Sequence, residues 1–475
     1  MKLIHLDIEY FRCFKQYHID FAPGITVLIG KNGAGKSTLM DAMHKALSFV
    51  FKKDTKVKND RTLSSGIPSL RVEPFNKKRD LIRNEETGFA FPHISIKAKA
   101  LFSDTTLDWE MYAPTSTFKM QSSNYSSAFT TFMDIADREK RLPVLAFYSD
   151  SFPHIESTKK KANKTLDSLR NFGYYQWNEE TACSSIWIDK LKRAWKEWDR
   201  HDRKIKDLES NIRDSTALVE KGILSQSEAN DNISKNKSAL LAEIEKRKKF
   251  SPEINSIKEC LVQFTKNDSV IEIQDIFLDI YEEELCIEDK AGDNPPFKKL
   301  PAGYKRLLYI VLDIAYRSYI LNGTTQSSGI VIIDEVDLHL HPSLEQTVLQ
   351  RLRDTFPNIQ FIVSTHSALI IANLNTSTND SIQTNKVYML HSNETEPKLL
   401  PNLYGVDYNA AMRDFMGTPP RNEDIKQLID EFLSFKSMGL ETEATSTYSK
   451  IEQLVDKDEE KTVLKEIEER LKELL

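Results

Sequence analysis

Apolar and polar positions alternate along Leu3-Ile4-His5-Leu6-Asp7-Ile8-Glu9-Tyr10, the period-two pattern of a strand with one buried face. Tyr17–Phe21 predicts a second strand, with Phe11–Lys15 as the connection and Pro23-Gly24 as a turn. Ile25–Ile29 is then continuously apolar, as a strand covered on both faces requires. From Thr38 to Phe49 the spacing becomes helical. His93–Phe102 (alternating through Ile94, Ile96, Ala98 and Ala100) and Asp108–Ala113 predict further strands, and Pro143–Tyr148 a short buried one. Lys52–Arg83 is polar and basic with scattered Gly and Pro, and Thr115–Thr131 is rich in Ser and Thr; both predict loops.

Between about Ile155 and Phe264 charged residues carry a helical apolar stripe: Ile188, Leu191, Trp195, Trp198, then Ile205, Leu208, Ile212, and later Leu240, Leu241, Ile244. The break at Gly222 predicts two helices joined near Lys221–Asn230 as an antiparallel hairpin. Its charge is nearly balanced, 17 Lys/Arg against 14 Asp/Glu between Ile186 and Cys260, which reads first as a solvated face. A docking arm for DNA or a partner is the second reading. Strands return at Val270–Ile273 and Ile276–Tyr281, and again at Gly329–Ile333, Gln360–Thr365 and Tyr388–Leu390. From Tyr408 two amphipathic helices are predicted, one through Ile425, Leu428, Ile429 and Phe432, the other through Leu464, Ile467, Leu471 and Leu474. Such stripes imply packing rather than chemistry.

A length of 475 residues implies two or three folding units, and 40% hydrophobic with 29% charged residues is ordinary for a soluble protein. The net charge of −6 restricts any DNA or RNA contact to local patches, for which Lys52–Lys58, Lys77–Arg83, Lys159–Lys164 and Lys246–Lys249 are candidates. Each patch alone is more simply read as surface. Cys13, Cys183, Cys260 and Cys286 form no C-x-x-C pair, which implies a reducing compartment without structural zinc. With no apolar run approaching 18 residues and no signal-like start, a cytoplasmic location without membrane contact is expected.

The chemistry concentrates after three of the strands. Gly30-Lys31-Asn32-Gly33-Ala34-Gly35-Lys36-Ser37 fits the phosphate loop G-x-x-x-x-G-K-[ST] between a strand and a helix. Asn32, Gly33, Ala34, Gly35 and Thr38 would surround phosphate with main-chain amides, Lys36 would meet the β/γ-phosphates, and Ser37 would ligate Mg²⁺. Asp334 and Glu335 end an apolar strand, where ligands bind in open α/β sheets. Asp334 is then a Mg²⁺ holder and Glu335 the base that orients and deprotonates water. His366, after Gln360–Thr365, is placed to sense the γ-phosphate. ATP and Mg²⁺ are the implied ligands.

Together the phosphate loop, the run Asp334-Glu335-Val336-Asp337-Leu338-His339-Leu340-His341-Pro342 and Ser364-Thr365-His366-Ser367 resemble ABC-type ATPases of the SMC, RecF and overcoming-lysogenisation-defect group. Within it, the chain is most similar to ATPase subunits of Septu-type anti-phage systems (PtuA) and to retron-associated ATPases. That resemblance implies an α/β ABC-type ATPase head, a mostly parallel sheet with an antiparallel β lobe, interrupted by a helical or short coiled-coil insertion. It divides the chain into head lobe I (1–154), a helical hairpin (155–264), head lobe II (265–400) and a C-terminal helical region (401–475). Glu335 would be the catalytic base, His366 the switch histidine, Asp337–Pro342 the loop touching the opposite subunit, and Arg12 a contact near the base of the nucleotide.

The resemblance also implies a homodimer or higher homo-oligomer, each cleft being closed by the partner's signature loop, here Leu300–Arg306 with Gly303 at its centre. Pro301 replaces the family's serine, leaving Lys305 and Arg306 as candidate cations, and the usual lobe-joining glutamine is missing after Tyr148. Ser149 and Asp150 are the alternatives there. Toprim and HNH motifs are lacking, so cleavage of nucleic acid is expected from a partner HNH nuclease of the PtuB type. The competing readings are an SMC/RecF-like DNA-repair or chromosome-clamp ATPase and a transporter cassette. Pro301, the long insertion and the missing C-x-x-C count against them.

Overall fold

The computed structural model describes residues 1–53, 63–149, 169–177 and 183–454, apart from 66, 68, 84–85, 222, 224, 280, 380–381, 393 and 418–421. Two compact units divide the chain, Met1–Gly405 and Val406–Leu475. The first opens with β1 (Lys2–Phe11), β2 (Phe14–Asp20), β3 (Ile25–Ile29), α1 (Lys36–Leu47), β4 (His93–Phe102), β5 (Thr105–Pro114), α2 (Ser123–Glu139) and β6 (Val144–Tyr148). Next come α3 (Cys183–Glu220), α4 (Gln226–Lys248), α5 (Ser251–Thr265), β7 (Ile273–Asp279), β8 (Glu284–Asp289) and α6 (Ala302–Asn322). It ends with β9 (Gly329–Ile333), α7 (Pro342–Glu345), α8 (Val348–Thr355), β10 (Ile359–Ser364), α9 (Ala368–Ala372), β11 (Thr378–Asn379), β12 (Ile382–Gln383), β13 (Asn385–Met389) and β14 (Lys398–Leu399).

Both expected sheets are present. The antiparallel lobe runs β2-β1-β4-β5, with alternate residues such as Leu6, Ile8, Ile96 and Ala98 buried and the intervening ones turned outward. The second sheet runs β14-β13-β3-β10-β9-β6, parallel except for the edge strand β14. Every residue of β3, β9 and β10 is buried, which accounts for their unbroken apolar runs. Helix α6 is covered on nearly all sides and lies under this sheet's β6 edge.

Two local expectations are corrected. The Ser/Thr-rich stretch is a loop only up to Ser122, since Ser123–Glu139 forms α2. Its stripe of Tyr125, Ala128, Phe129, Phe132, Ile135 and Ala136 is buried, and that burial outweighs the weak helix propensity of Ser and Thr. The two strands expected between Val270 and Tyr281 are one strand, β7, whose partner β8 is too acidic to stand out in sequence.

Helices α3 and α4 form the hairpin. Leu191, Ala194 and Ile205 are buried, whereas Leu241 remains 65% exposed. The seam is partly polar: His201 Nδ1 lies 2.6 Å from Glu243, and Arg247 pairs with Asp202. The second unit contains α10 (Tyr408–Met416), α11 (Glu423–Ser437) and α12 (Glu441–Leu454), with Ile429, Phe432, Leu433, Ala444 and Ile451 as its core. The stripe Leu464–Leu474, the cluster Lys159–Lys164 and Asp150 lie outside the described residues. Among the described residues no helix is long and apolar enough to cross a membrane.

Candidate nucleotide site

Strands β3, β10 and β9 are neighbours in register, so the residues after each strand are delivered to one edge of the sheet. After β3 comes the phosphate loop, after β9 Asp334 and Glu335, and after β10 Thr365 and His366. They enclose a cleft of about 360 Å³ lined by Cys13, Asn32, Gly33, Gly35, Lys36, Ser37, Thr38, Asp334, Glu335 and His366. A separate recess of about 490 Å³ lies on the outer face of the antiparallel sheet and contains no phosphate-loop residue.

Gly33 and Gly35 have φ of 82° and 100°, a region that favours glycine. A Cβ on Gly33 would meet no atom within 4 Å, so the loop is open above it; one on Gly35 would strike the Phe14 ring at 2.6 Å. Gly35 caps α1, whose first amides therefore face the cleft. The Lys36 ammonium folds back onto the loop, donating to the Gly30 carbonyl at 2.8 Å and the Lys31 carbonyl at 3.3 Å. Burial lowers its pKa, against the pull of Asp334, Glu335 and Asp337. An ammonium held this way carries a charge its surroundings only partly balance, as a phosphate-binding group should.

Opposite, Asp334 is 7% exposed. Ser364 Oγ donates to Asp334 Oδ1 and accepts the Glu335 amide at 2.8 Å, so one hydroxyl sets both acids. Glu335 has φ of 49°, a left-handed conformation that costs a non-glycine residue about 1–3 kcal/mol and recurs at functional sites. Arg306, 2% exposed, donates to the Asp334 carbonyl at 3.1 Å and the Val336 carbonyl at 3.4 Å. Asp337 accepts from the His366 amide at 3.4 Å through Oδ2. Its Oδ1 is buried and has no hydrogen-bond partner among the described residues. The Ser37 hydroxyl and the Asp334 carboxylate are hard oxygen donors in one cleft, a set that suits Mg²⁺.

Other candidates fall outside the cleft. Arg12 is held at φ 51° by Asp80, 2.9 Å from Nε, and by Asp41 on α1. It braces the middle of α1 through Asp41 and does not line the cleft, where its neighbour Cys13 does. Ala34 is buried behind the loop. Gly303 is buried against this chain's own Asp337–Pro342 loop, where an added Cβ would approach the His339 carbonyl oxygen to 2.5 Å. Of the candidate cations, Arg306 is committed to β9 as above, and Lys305 donates to the Lys298 carbonyl at 3.0 Å. His341 caps α7 by accepting from the Ser343 amide, which accounts for it without a metal. Ser364, Asp41, Asp80 and Cys13 were missed as site residues. Only Ser364 carried a signal, as the first residue of the Ser-Thr-His-Ser run.

Several cations of the basic clusters have partners within the chain. Lys246 and Lys248 bond Glu243 and Glu245, Arg79 bonds Asp41, and Lys52 donates to Ser126.

A family model for the AAA ATPase domain (AAA_15) matches residues 1–371. The chain belongs to this ATPase family. Similar relatives of this family ATPase include the Retron Vc95 probable ATPase of Vibrio cholerae serotype O1 biovar El Tor, 27% identical over 73% of this chain and 66% of that protein. The Retron Ec83 probable ATPase of Escherichia coli is 26% identical over 77% of this chain and 69% of that one. Both alignments span about two thirds of the retron proteins' length. Septu protein PtuA of Bacillus mycoides (strain KBAB4) is 25% identical over 38% of this chain and 24% of its own. Among solved structures, the Smc head domain from Pyrococcus furiosus aligns over 88% of this chain and 99% of its own, at 14% identity and a TM-score of 0.40. The family ATPase has an α/β head, a mostly parallel sheet beside an antiparallel lobe, and uses a nucleotide.

Proposed function

We propose that this chain is the ATP-hydrolysing regulatory subunit of an anti-phage defence complex. In this reading, nucleotide-dependent self-association in the cytoplasm governs a partner HNH nuclease, with DNA or RNA as the target. The observation that carries it is the convergence of Lys36, Ser37, Asp334, Glu335 and His366 in one cleft that contains no residue of the chain's own signature loop. In this reading a second copy supplies that loop, and association is coupled to nucleotide. Similarity to the retron ATPases and PtuA supports the defence role.

Ser37 and Asp334 would hold Mg²⁺, which when bound supplies positive charge to the β/γ-phosphates. The phosphate-loop amides and Lys36 bind and orient the triphosphate tail. Glu335, fixed at its amide by Ser364, orients water and takes its proton, a step contributing about 10²–10⁴-fold. His366 reads the γ-phosphate position, and Asp337 steadies its amide. Residues 1–154 and 265–400 act as the head lobes, 155–264 as the arm and 401–475 as the region that docks the nuclease.

Glu335→Gln tests this. With ATP and Mg²⁺ the variant should lose turnover by about 10²–10⁴-fold and accumulate as a dimer or larger assembly in light scattering. It should also co-purify with a small HNH protein encoded beside it. Undiminished turnover refutes the base assignment, and recovery with repair or membrane proteins instead refutes the defence role.

A further inference from the structure

Strands β1 and β2 carry a cluster that the ATPase reading leaves unused. In their antiparallel register His5 faces Asp20 and Asp7 faces His18, so two histidines and two aspartates form a cross-strand quartet on the outer face. The Asp7 carboxylate touches both rings: Oδ2 lies 2.9 Å from His5 Nε2 and Oδ1 lies 3.0 Å from His18 Nδ1. The rings meet edge to face with centroids 4.4 Å apart. Asp20 Oδ1 lies 2.7 Å from His5 Nδ1. One donor atom from each of His5, His18 and Asp20 falls within 4.8 Å of the other two.

Among the described residues no lysine or arginine pairs with either carboxylate. On β4, Lys99 and Lys97 stand opposite His5 and Asp7, but Lys97 is 3.4 Å from Glu9 and Lys99 is 3.9 Å from Asp108. Lys386 reaches the Asp20 main-chain carbonyl, at 3.5 Å. Among the described residues the quartet's carboxylates have no ion pair except with its own histidines.

We propose that His5, His18 and Asp20 form a surface site for a divalent transition-metal ion of the Zn²⁺ type, with Asp7 as the carboxylate that orients both imidazoles. With Asp7 holding His5 Nε2 and His18 Nδ1, the nitrogens left to coordinate are His5 Nδ1 and His18 Nε2. A carboxylate behind each ligating imidazole is the common outer shell of histidine metal sites. Two imidazoles and a carboxylate favour Zn²⁺, Ni²⁺ or Cu²⁺ over Mg²⁺ or Ca²⁺. A rigid two-strand platform provides three ligands and leaves the fourth position to water. The occupied site would fasten the edge strand β2 to β1, just before the chain turns into β3 and the phosphate loop.

Zn²⁺ titration of the full chain, read by competition with a chromophoric chelator in excess Mg²⁺, tests the site. One Zn²⁺ per chain is expected, lost in His5→Ala and His18→Ala and retained in Asp334→Ala, which separates it from the nucleotide cleft. Asp7→Asn should keep the stoichiometry and weaken affinity by about 10–100-fold. Circular dichroism checks that each variant is folded, and His18→Gln, a milder change on a half-exposed side chain, replaces any that is not. The proposal is overturned by absence of a stoichiometric ion in the parent chain, by unchanged binding in both histidine variants, or by loss of the ion in Asp334→Ala alone.

Discussion

Asp313, in the middle of α6, is fully buried and holds three elements together. Its carboxylate accepts from Tyr148 Oη of β6 and from Arg317 Nε, each at 2.6 Å, and from the Trp187 indole of α3. Arg317, 2% exposed, also donates to the Gly173 carbonyl at 2.9 Å and lies over the Trp187 ring at 5.9 Å. Asp313→Ala leaves a guanidinium buried without its counter-ion, and two donors without their shared acceptor. Breaking a buried pair from one side costs about 3–5 kcal/mol. The orphaned hydroxyl and indole would each add about 1–3 kcal/mol if the site could not relax, and these terms are not additive. About 3–5 kcal/mol is therefore expected, a large share of the ~5–15 kcal/mol that holds a domain folded. In a chain of two compact units a single unfolding midpoint is ill defined, so the assay is hydrogen exchange by mass spectrometry. At about 1.4 kcal/mol per tenfold, peptides from the start of α3 and from α6 should exchange roughly 10²- to 4 × 10³-fold faster. The double variant Asp313→Leu/Arg317→Met should recover most of the protection, because an apolar pair of similar volume avoids the stranded charge. An increase below tenfold in Asp313→Ala, or a double variant no better than the single one, would refute the reasoning.

Ser364→Ala removes the hydroxyl shared by Asp334 and the Glu335 amide, and a hydrogen bond to a charged group is worth about 1.5–3 kcal/mol. Turnover should fall about 10–100-fold while nucleotide affinity changes little, as read by phosphate release and equilibrium titration. His44 is buried between Phe147 and Trp177, and desolvation, helped by Lys45, pushes its pKa from 6.5 down to about 3. The unfolded chain then binds the proton first, so stability is full above pH 6.5 and declines as pH falls toward 3. By pH 4.5 the loss from this group is about 2.7 kcal/mol. His44→Leu should flatten the acid-limb loss of hydrogen-exchange protection in α1 peptides, and an unchanged slope would count against the assignment. Gly303→Ala drives a Cβ to 2.5 Å from the His339 carbonyl oxygen, so a cost of about 1–3 kcal/mol is expected from overpacking. ATP-dependent association should weaken as well. A variant with unchanged hydrogen-exchange protection in α6 and unchanged association would show that the Asp337–Pro342 loop yields freely.

The parallel core was legible because β3, β9 and β10 are buried on both faces, and a half-exposed strand would have broken their Val/Ile runs with polar residues. The cleft was legible because glycine spacing and carboxylates at strand ends are local signals. What escaped depends on contacts distant in sequence. Helix α2 is dictated by the core beneath it, and β8 by pairing with β7. The engagement of Arg12 with Asp80 and of Arg306 with the Asp334 carbonyl spans 68 and 28 residues, beyond any periodicity argument. Composition alone predicts a loop over Lys52–Arg83, yet that stretch supplies Asp80, a fully buried acid that pairs with Arg12 and Lys45 beside the phosphate loop.

The bond between Trp187 and Asp313 makes α3 a lever with a fixed fulcrum. From Trp187 to Glu220 the helix extends about 50 Å at about 1.5 Å per residue. A tilt of about 5° at the fulcrum therefore carries its tip about 4 Å, by the same helix length. The fulcrum sits on α6, whose first turn contains Gly303 and packs against the Asp337–Pro342 loop. Displacement at the far end of the arm is thus transmitted to the helix that carries Gly303, so a push on the hairpin tip would be felt at the Asp337–Pro342 loop beside Asp334 and Glu335.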